Sequence, residues 1–197
     1  VIGSVVALIL GVAGFQYLDS IDQARLNDQA NAFSQALEDL SVDNADTALK
    51  TLRGVSEQGG NYGALADLRR AAVLIEQGDA NEALGIYRNL SSDTSVDSAF
   101  THLAGLLWAL HGMETEDPDA LEAVLMPLTN PSNAYTYSAS ELLAVLYAKR
   151  GEMQQAIAIL EGLVAEVGTP SSVRVRAQEL IAVYQSPNVA TSSPSVQ

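Results

Sequence analysis

The residue types that most often carry catalysis are sparse in this chain of 197 residues. Cysteine is absent, which excludes disulfides, cysteine nucleophiles and thiolate metal sites. The two histidines, His102 and His111, are nine residues apart, so a helix would place them on opposite faces, where they cannot share a ligand. Serines occur without a paired histidine and acid. We therefore predict structural histidines, no catalytic residues, no cofactor and no enzymatic activity.

Two further stretches have the composition of a ligand site but not its spacing. Carboxylates cluster at Glu114, Glu116, Asp117 and Asp119, where a weak divalent-cation site is conceivable. The stretch lacks the glycine and the closing glutamate of a calcium loop, so a solvated loop is favoured and no metal site is predicted. Residues 59–63 (GGNYG) lack the lysine and the preceding strand of a phosphate loop, which favours a turn between helix hairpins.

Charge is distributed very unevenly along the chain. Residues 1–18 contain no charged side chain, so residues 19–197 carry all 10 basic and 24 acidic groups and the whole net charge of −14. A field of this sign repels nucleic acid and anionic lipid surfaces. We therefore expect other proteins, rather than nucleic acid or a small-molecule substrate, as the main partners.

The uncharged segment over residues 1–18 is long enough for a membrane helix, since at about 1.5 Å per residue it spans roughly 27 Å of a bilayer core of about 30 Å. We predict a single-pass anchor there, truncated because the chain opens on Val1, followed by a helical stem over residues 19–31. A cleaved signal peptide is the alternative, because residues 11–13 (GVA) have a small-x-small cleavage pattern. The anchor is favoured because helical character continues beyond Gln16 without proline or glycine.

Beyond residue 32 the hydrophobic pattern is helical and lacks the alternation of strands. Three predicted helices end on glycine, each with a small residue seven positions earlier and a large one four positions earlier, a spacing that lets paired helices pack closely. These sets are Ala71, Leu74 and Gly78; Gly105, Trp108 and Gly112; and Ala144, Tyr147 and Gly151.

The helices that follow or precede them carry equivalent alanines with a large apolar residue four positions later: Ala48 and Leu52, Ala83 and Tyr87, Ala120 and Val124, and Ala156 and Leu160. The spacings of 35, 37 and 36 residues between these alanines indicate tandem helix hairpins.

The best copy, Ala144-x-x-Tyr147-x-x-x-Gly151-Glu152-x-x-x-Ala156, resembles the tetratricopeptide repeat. The whole layout resembles the YfgM-type membrane-anchored tetratricopeptide repeat proteins of Gram-negative bacteria. This resemblance implies an all-α fold in which tandem helix hairpins form a tetratricopeptide-like α-solenoid after one transmembrane helix. It also implies a single-pass inner-membrane protein with its repeat domain in the periplasm. The implied role is accessory to the protein-export translocon, with translocon subunits, periplasmic chaperones or emerging polypeptides as partners.

The repeat domain is predicted over residues 32–184, with three departures from a regular pattern. The first copy lacks the glycine turn, residues 113–117 form an insertion, and Pro127 is expected to break a helix. The last predicted helix, over residues 171–184, suits a capping helix because Arg174, Arg176 and Glu179 give it a polar outer face. Residues 185–197 are predicted to be a disordered tail.

With no catalytic site predicted, we expect the chain to function by binding. Helical repeat proteins commonly bind through their concave surface. Counting back from the turn glycines predicts a concave face on the first helix of each pair: Leu68, Arg69, Ala72 and Ile75; His102, Leu106 and Ala109; and Glu141, Val145 and Ala148. Only Arg69 is basic, while its equivalents are Leu103 and Leu142. A clamp for a C-terminal carboxylate is therefore not expected.

Two alternatives stay open at this point. The apolar positions could form a groove for a hydrophobic helix or an unfolded segment with basic flanks, or they could be core residues packed within the solenoid. The function has an alternative as well, namely a structural scaffold that organises a cell-envelope assembly through folded partners.

Overall fold

A computed structural model describes residues 23–186, and the regular structure within this range is entirely helical. The predicted all-α fold of tandem helix hairpins is confirmed for these residues. The predicted anchor, residues 1–18, and all but two residues of the predicted tail lie outside them. Between residues 23 and 186, no helix is both long and apolar enough to cross a bilayer.

The chain divides into two compact units between Asp79 and Ala80. The first unit contains α1 (residues 23–41), α2 (Ala45–Ser56) and α3 (Gly60–Gln77). The second unit contains α4 (Ala80–Ser91), α5 (Ser98–Gly112), α6 (Pro118–Leu128), α7 (Thr136–Lys149), α8 (Met153–Ala165) and α9 (Ser171–Tyr184). Helix α1 passes residue 32, the predicted start of the repeat domain, without interruption.

In the first unit, small residues bring the helices close together. Ala36 of α1, Ala48 of α2 and Ala66 of α3 are fully buried in one cluster with Leu52 and Val55 of α2. Alanine at these positions lets backbones approach without losing packing density, because the adjacent leucine and valine fill the space between the helices.

The turn between α2 and α3 requires glycine, because Gly59 and Gly60 have φ angles of 72° and 69°, in the left-handed region that other residues rarely adopt. A Cβ on Gly63 would lie 3.0 Å from the carbonyl oxygen of Ser56. Only Gly59 of the predicted turn over residues 59–63 precedes α3, and residues 60–63 form the first turn of that helix.

Three helices end with one shared hydrogen-bond pattern, at Asp43, Gly78 and Gly151. Each of these residues has a positive φ angle. Each donates its amide N–H to the carbonyl three residues back, and the next amide donates to the carbonyl five residues back, at 2.8 to 3.3 Å. This is the Schellman geometry that closes a helix on a left-handed residue. Asp43 thus takes the place of the glycine that the first copy lacks.

The first helix of the third copy, α5, ends differently, because an insertion follows it. Gly112 is the last residue of α5, and its carbonyl accepts from the amides of Thr115 and Glu116 at 3.0 and 2.8 Å. Helix α6 then begins at Pro118, with the Asp117 carboxylate accepting from the amide of Asp119. This is a regular N-cap, with proline at the first helical position, where its missing N–H costs nothing.

Two sequence predictions for α6 are wrong. Pro127 does not break the helix, because it lies in the last turn of α6, which ends one residue later at Leu128. The equivalence of Ala120 and Val124 is off by one residue, since Leu121 and Leu125 are the fully buried pair. The insertion before α6 shifts its register relative to the predicted spacing.

In the second unit each helix from α5 to α9 packs on the one before it, and the first helices of successive pairs also meet. Helix α7 contacts both α5 and α9, so these three helices form a row, which we call the inner row. Ala144 of α7 is fully buried against Leu160 of α8 and Ala177 of α9 in one cluster. Within this unit the row has the stacked order expected of tandem hairpins.

Two of the three residues predicted for the polar outer face of α9, Arg176 and Glu179, are exposed, while Arg174 is half-buried. Both arginines also form hydrogen bonds within the second unit. Arg176 donates two hydrogen bonds of 2.6 Å to the Glu141 carboxylate of α7. Arg174 donates to carbonyl oxygens of the α8–α9 loop, the shortest at 3.0 Å to Thr169. The exposed side of α9 also presents Val175 and Val183, each 52% exposed.

Substitution of a single helical glycine tests this packing. A Cβ on Gly105 of α5 would lie 2.7 Å from Cγ2 of Val124, and a β-branched side chain in a helix has few rotamers to escape to. We expect Gly105→Ala to lower the free energy of unfolding by about 1 to 2 kcal/mol, although alanine favours the helix by about 1 kcal/mol. Urea denaturation followed by circular dichroism measures the change.

The matched control is Gly162→Ala in α8, where nothing lies within 4 Å of the added Cβ. That variant should be stabilised by up to about 1 kcal/mol. Adding Val124→Ala to Gly105→Ala should recover part of the loss by removing the clashing methyl. Equal stabilisation by both alanine substitutions would show that α5 does not approach Val124 this closely.

Candidate functional site

The predicted concave residues lie on α3, α5 and α7, and they are not equally accessible. Three of them, Leu68, Ala109 and Ala148, are buried and serve as core. The others are half-buried: Arg69, Ala72, Ile75, His102, Leu106, Glu141 and Val145. The two alternatives, groove and core, therefore each describe part of the set, and a role in binding stays a prediction for the half-buried residues.

In the first unit, the half-buried members of the set lie along α3 beside the buried Leu68. Arg69 is the basic residue of this group, and its Nε is buried without a hydrogen-bond partner among the described residues. Ala72 and Ile75 continue the same side of α3 at spacings of three residues. This face of α3 is thus mainly apolar with a single cation.

Glu141 is occupied by an intramolecular contact. Its side chain is only 14% exposed, and its carboxylate accepts both hydrogen bonds of a bidentate pair with Arg176. Bidentate arginine–carboxylate pairs fix orientation as well as distance, and the Glu141 carboxylate raises the pKa of Arg176. Glu141 therefore fastens α9 to α7 within the inner row and is not available to clamp a ligand.

His102 lines an open pocket of about 490 Å³ between the start of α5, the end of α6 and the α6–α7 loop. The other lining residues are Ser98, Ala99, Pro127, Asn130, Ser132, Asn133, Ala134 and Tyr135. None of these side chains is a carboxylate, an ammonium or a guanidinium. The pocket is thus polar but uncharged, with hydroxyl, amide and imidazole groups that can bond to peptide groups.

The hydrogen bonds of Asn133 determine the orientation of this pocket's central pair. Its Oδ1 accepts from the backbone amide of Tyr135 at 2.9 Å, so its Nδ2 is the atom that lies 3.1 Å from Nδ1 of His102. An amide NH₂ can only donate, which makes Nδ1 the acceptor and leaves the ring proton on Nε2. The loop is further held by the Asn130 Oδ1, which accepts from the amide of Ser132 at 3.0 Å.

Sequence reasoning singled out His102 but not Asn130 or Asn133. Residues 130–133 (NPSN) have the composition of a turn, so the turn itself could be predicted from the local sequence. What the sequence does not reveal is that this turn closes against His102 of α5, 31 residues before Asn133 in the chain.

Leu106 and Val145 are the accessible apolar members of the set in the second unit. They lie on α5 and α7, which are in contact, and both are half-buried. Leu110, one turn after Leu106, is among the exposed large apolar residues. The inner row therefore presents partly exposed aliphatic side chains.

His111 has a different environment from His102, as the predicted opposite faces require. Its ring stacks on Tyr87 of α4, with centroids 6.0 Å apart and an interplanar angle of 12°. Burial lowers the pKa of His111 and raises the pKa of Tyr87. The stack is a packing contact between α4 and α5.

The acidic cluster of the α5–α6 insertion does not converge on a common point. Its carboxylates have four different partners: Glu114 pairs with Lys149, Glu116 with Arg88, Asp119 with Arg150, and Asp117 caps α6. Within residues 23–186 no group of three or more histidines and acids is placed to hold a metal ion. The insertion is exposed, but ion pairs tie it to α4 and α7.

Arg150 also joins a second acid, Glu122 of α6, to form a small network between α6 and α7. Arg150 contacts both Glu122 and Asp119, the latter at 2.7 Å, and the Tyr147 hydroxyl donates to Glu122 Oε1 at 2.7 Å. The Tyr147 hydrogen bond and the Arg150 guanidinium lower the pKa of Glu122, and the same carboxylate raises the pKa of Tyr147.

Comparison with known proteins gives one finding about family. The family described as "Tetratricopeptide repeat-like domain" matches residues 1–161 of the chain, a range that includes both the uncharged segment and the helices up to α8. Neither the curated proteins nor the solved structures include a significant match.

Stability against pH tests the Glu122 network. Since the folded state lowers the pKa of Glu122, its contribution is present above about pH 4.3, where a free glutamate is ionised, and is lost as the pH falls through the lowered value. Glu122→Gln should cost about 1 kcal/mol at pH 7. The difference from wild type should shrink as the pH falls below 4.

Urea denaturation over a pH series provides the measurement. Glu161→Gln serves as the matched control, because this exposed glutamate of α8 has no ion-pair or hydrogen-bond partner among the described residues. It should leave the stability curve close to that of wild type. A Glu122→Gln deficit that is constant from pH 7 to pH 3 would contradict the assignment.

Proposed function

The chain belongs to the tetratricopeptide repeat-like domain family, and from that premise we propose that it binds other proteins through the inner row of its repeats. Helical repeats stack so that successive first helices share one surface, and this surface is their usual binding face. In the second unit that row consists of α5, α7 and α9.

The observation that carries this proposal is the pairing of two kinds of surface on α5. Leu106 offers a partly exposed aliphatic side chain, with Val145 of α7 as its counterpart on the next first helix. One turn before Leu106, His102 opens into the uncharged polar pocket. Aliphatic positions bind apolar side chains, while hydroxyl and amide groups satisfy the peptide bonds of the same segment. An extended or helical apolar segment matches this combination.

Charge favours one class of segment. The chain carries a net charge of −14, so it attracts basic partners and repels acidic ones at long range. The apolar segment bound by the inner row is therefore expected to have basic flanks.

The proposal extends to location and partners. Residues 1–18 act as a single-pass anchor in the inner membrane, and the repeat domain lies in the periplasm. Support comes from the length and lack of charge of this segment and from a family match that includes it. As the resemblance to YfgM-type proteins implies, the repeats work beside the protein-export translocon and pass emerging chains to periplasmic chaperones.

Charge substitutions on the inner row test the binding face. We expect Leu106→Glu and Val145→Glu each to reduce crosslinking to partners by at least about tenfold, because burying an unpaired carboxylate against an apolar segment is costly. Met126→Glu is the matched control, since Met126 is an exposed apolar residue of α6, off the inner row. Photocrosslinking from Ile75 or from position 102 in cells provides the measurement.

The identity of the crosslinked species decides between two roles. Many nascent or unfolded chains support the translocon-linked role, whereas one discrete folded protein supports a scaffold. Circular dichroism confirms that each variant keeps its helix content. Undiminished crosslinking by folded Leu106→Glu and Val145→Glu would refute the inner row as the binding face.

Membrane extraction tests the anchor. The chain should stay with carbonate-washed membranes, and external protease should degrade the repeats in spheroplasts but not in intact cells. Release by carbonate, or a mature N-terminus at Gly14, would instead identify residues 1–18 as a cleaved signal. Protection from protease in spheroplasts would place the repeats on the cytoplasmic side.

A further inference from the structure

Helix α9, the last one described, packs against fewer helices than the other first helices of the second unit. Helix α5 packs between α4 and α6, and α7 packs between α6 and α8. Helix α9 packs on α8 and α7, and no described residue covers it where α8 covers α7. Among residues 23–186, nothing covers the side of α9 that lies where a following helix would pack.

A groove of about 410 Å³ lies at this place, between α8 and α9. Its α9 wall is a stripe at helical spacing, Gln178, Ile181 and Gln185, and its α8 wall is the stripe Glu161, Val164 and Ala165. Val164 and Ile181 are half-buried and also pack on the core formed by α7, α8 and α9. The floor of the groove is therefore apolar, and a groove between two packed helices is a shape that accepts a third helix.

The charges around the groove favour a basic occupant. Glu161 is exposed at its edge and has no ion-pair partner among the described residues. The two arginines of α9 are unavailable to neutralise it, because Arg176 binds Glu141 and Arg174 binds the α8–α9 loop. The groove thus combines an apolar floor with an uncompensated carboxylate and two amide side chains.

Two possible occupants fit this surface poorly. A second copy of the chain, with a net charge of −14, would bring like charge toward Glu161. Residues 187–197 (PNVATSSPSVQ) carry no charge and include two prolines, so their sequence has neither the basic residue nor the apolar periodicity of an amphipathic helix.

We propose that the α8–α9 groove is a second docking surface, which takes a basic amphipathic helix of another protein. The partner helix packs on α9 as α8 packs on α7. Its apolar residues, spaced at i, i+3 or i+4, and i+7, lie over Val164 and Ile181. A lysine or arginine of the partner helix faces Glu161. This surface is separate from the inner-row positions Leu106 and Val145, so it stands whether or not the inner row captures chains.

A synthetic peptide with the sequence of helix α4 tests the proposal. The probe is a stapled, fluorescent peptide of residues 80–91 (ANEALGIYRNLS) with Glu82→Lys, which makes its polar face basic. The control peptide keeps Glu82 and has Arg88→Glu, so its apolar face is unchanged while its polar face is acidic. Fluorescence anisotropy with the full chain in detergent measures both affinities.

We expect micromolar binding of the basic peptide and binding at least about tenfold weaker for the acidic one. Glu161→Gln in the protein should weaken the basic peptide by about 3- to 10-fold at low salt. Gln154→Lys, an equal charge change at an exposed position at the start of α8, should change it by less than about twofold. Leu106→Glu should leave it unchanged, which separates this groove from the inner row.

Three results would overturn the proposal. The first is failure of the basic peptide to bind the wild-type chain. The second is affinity that is insensitive to Glu161→Gln but lost in Leu106→Glu, which would assign the peptide to the inner row. The third is a photocrosslinker at position 178 that yields a covalent dimer of the chain instead of a peptide adduct, which would make a second copy the occupant.

Discussion

The fold depends on the chain reversing direction within two or three residues after a helix while leaving few backbone groups unpaired. At Asp43 and Gly151 a left-handed residue does this, and the two amides that would otherwise leave the helix bond to carbonyls of its last turn. Because the turn is this short, the next helix must pack directly against the previous one. Small residues such as Ala48 and Ala144 are then required where helices meet, and both are fully buried.

Much of this could be predicted from the sequence because each signal is local. The turn glycines, the small residue seven positions earlier and the recurring alanines all lie within about two helical turns, and they predicted the helix pairs of both units. Asp43 shows the limit of such signals, since an aspartate in the left-handed region supports the same turn without the expected glycine. The shift from Ala120 to Leu121 shows another limit, because a five-residue insertion changes register by an amount that its length alone does not determine.

The candidate site was predicted less completely, for physical reasons that differ between residues. Leu106 and Val145 were found because periodicity places them on one helix face. Glu141 was assigned to the same face, but its carboxylate is held by Arg176, 35 residues later, and no local pattern reveals such a pair. The pocket beside His102 likewise depends on how the α6–α7 loop closes onto α5. Side chains whose partners are distant in sequence are the part of a repeat protein that periodicity does not describe.

The order in which the helices pack also bears on how the second unit is made. From α5 to α9 every helix contacts the one immediately before it in the chain, and the remaining contacts, α5 with α7 and α7 with α9, skip a single helix. Such a topology has a low contact order, which is associated with fast folding. Each new helix can dock as soon as it emerges, because its partner is already in place, so the unit is suited to folding progressively from its N-terminal end as the chain is delivered.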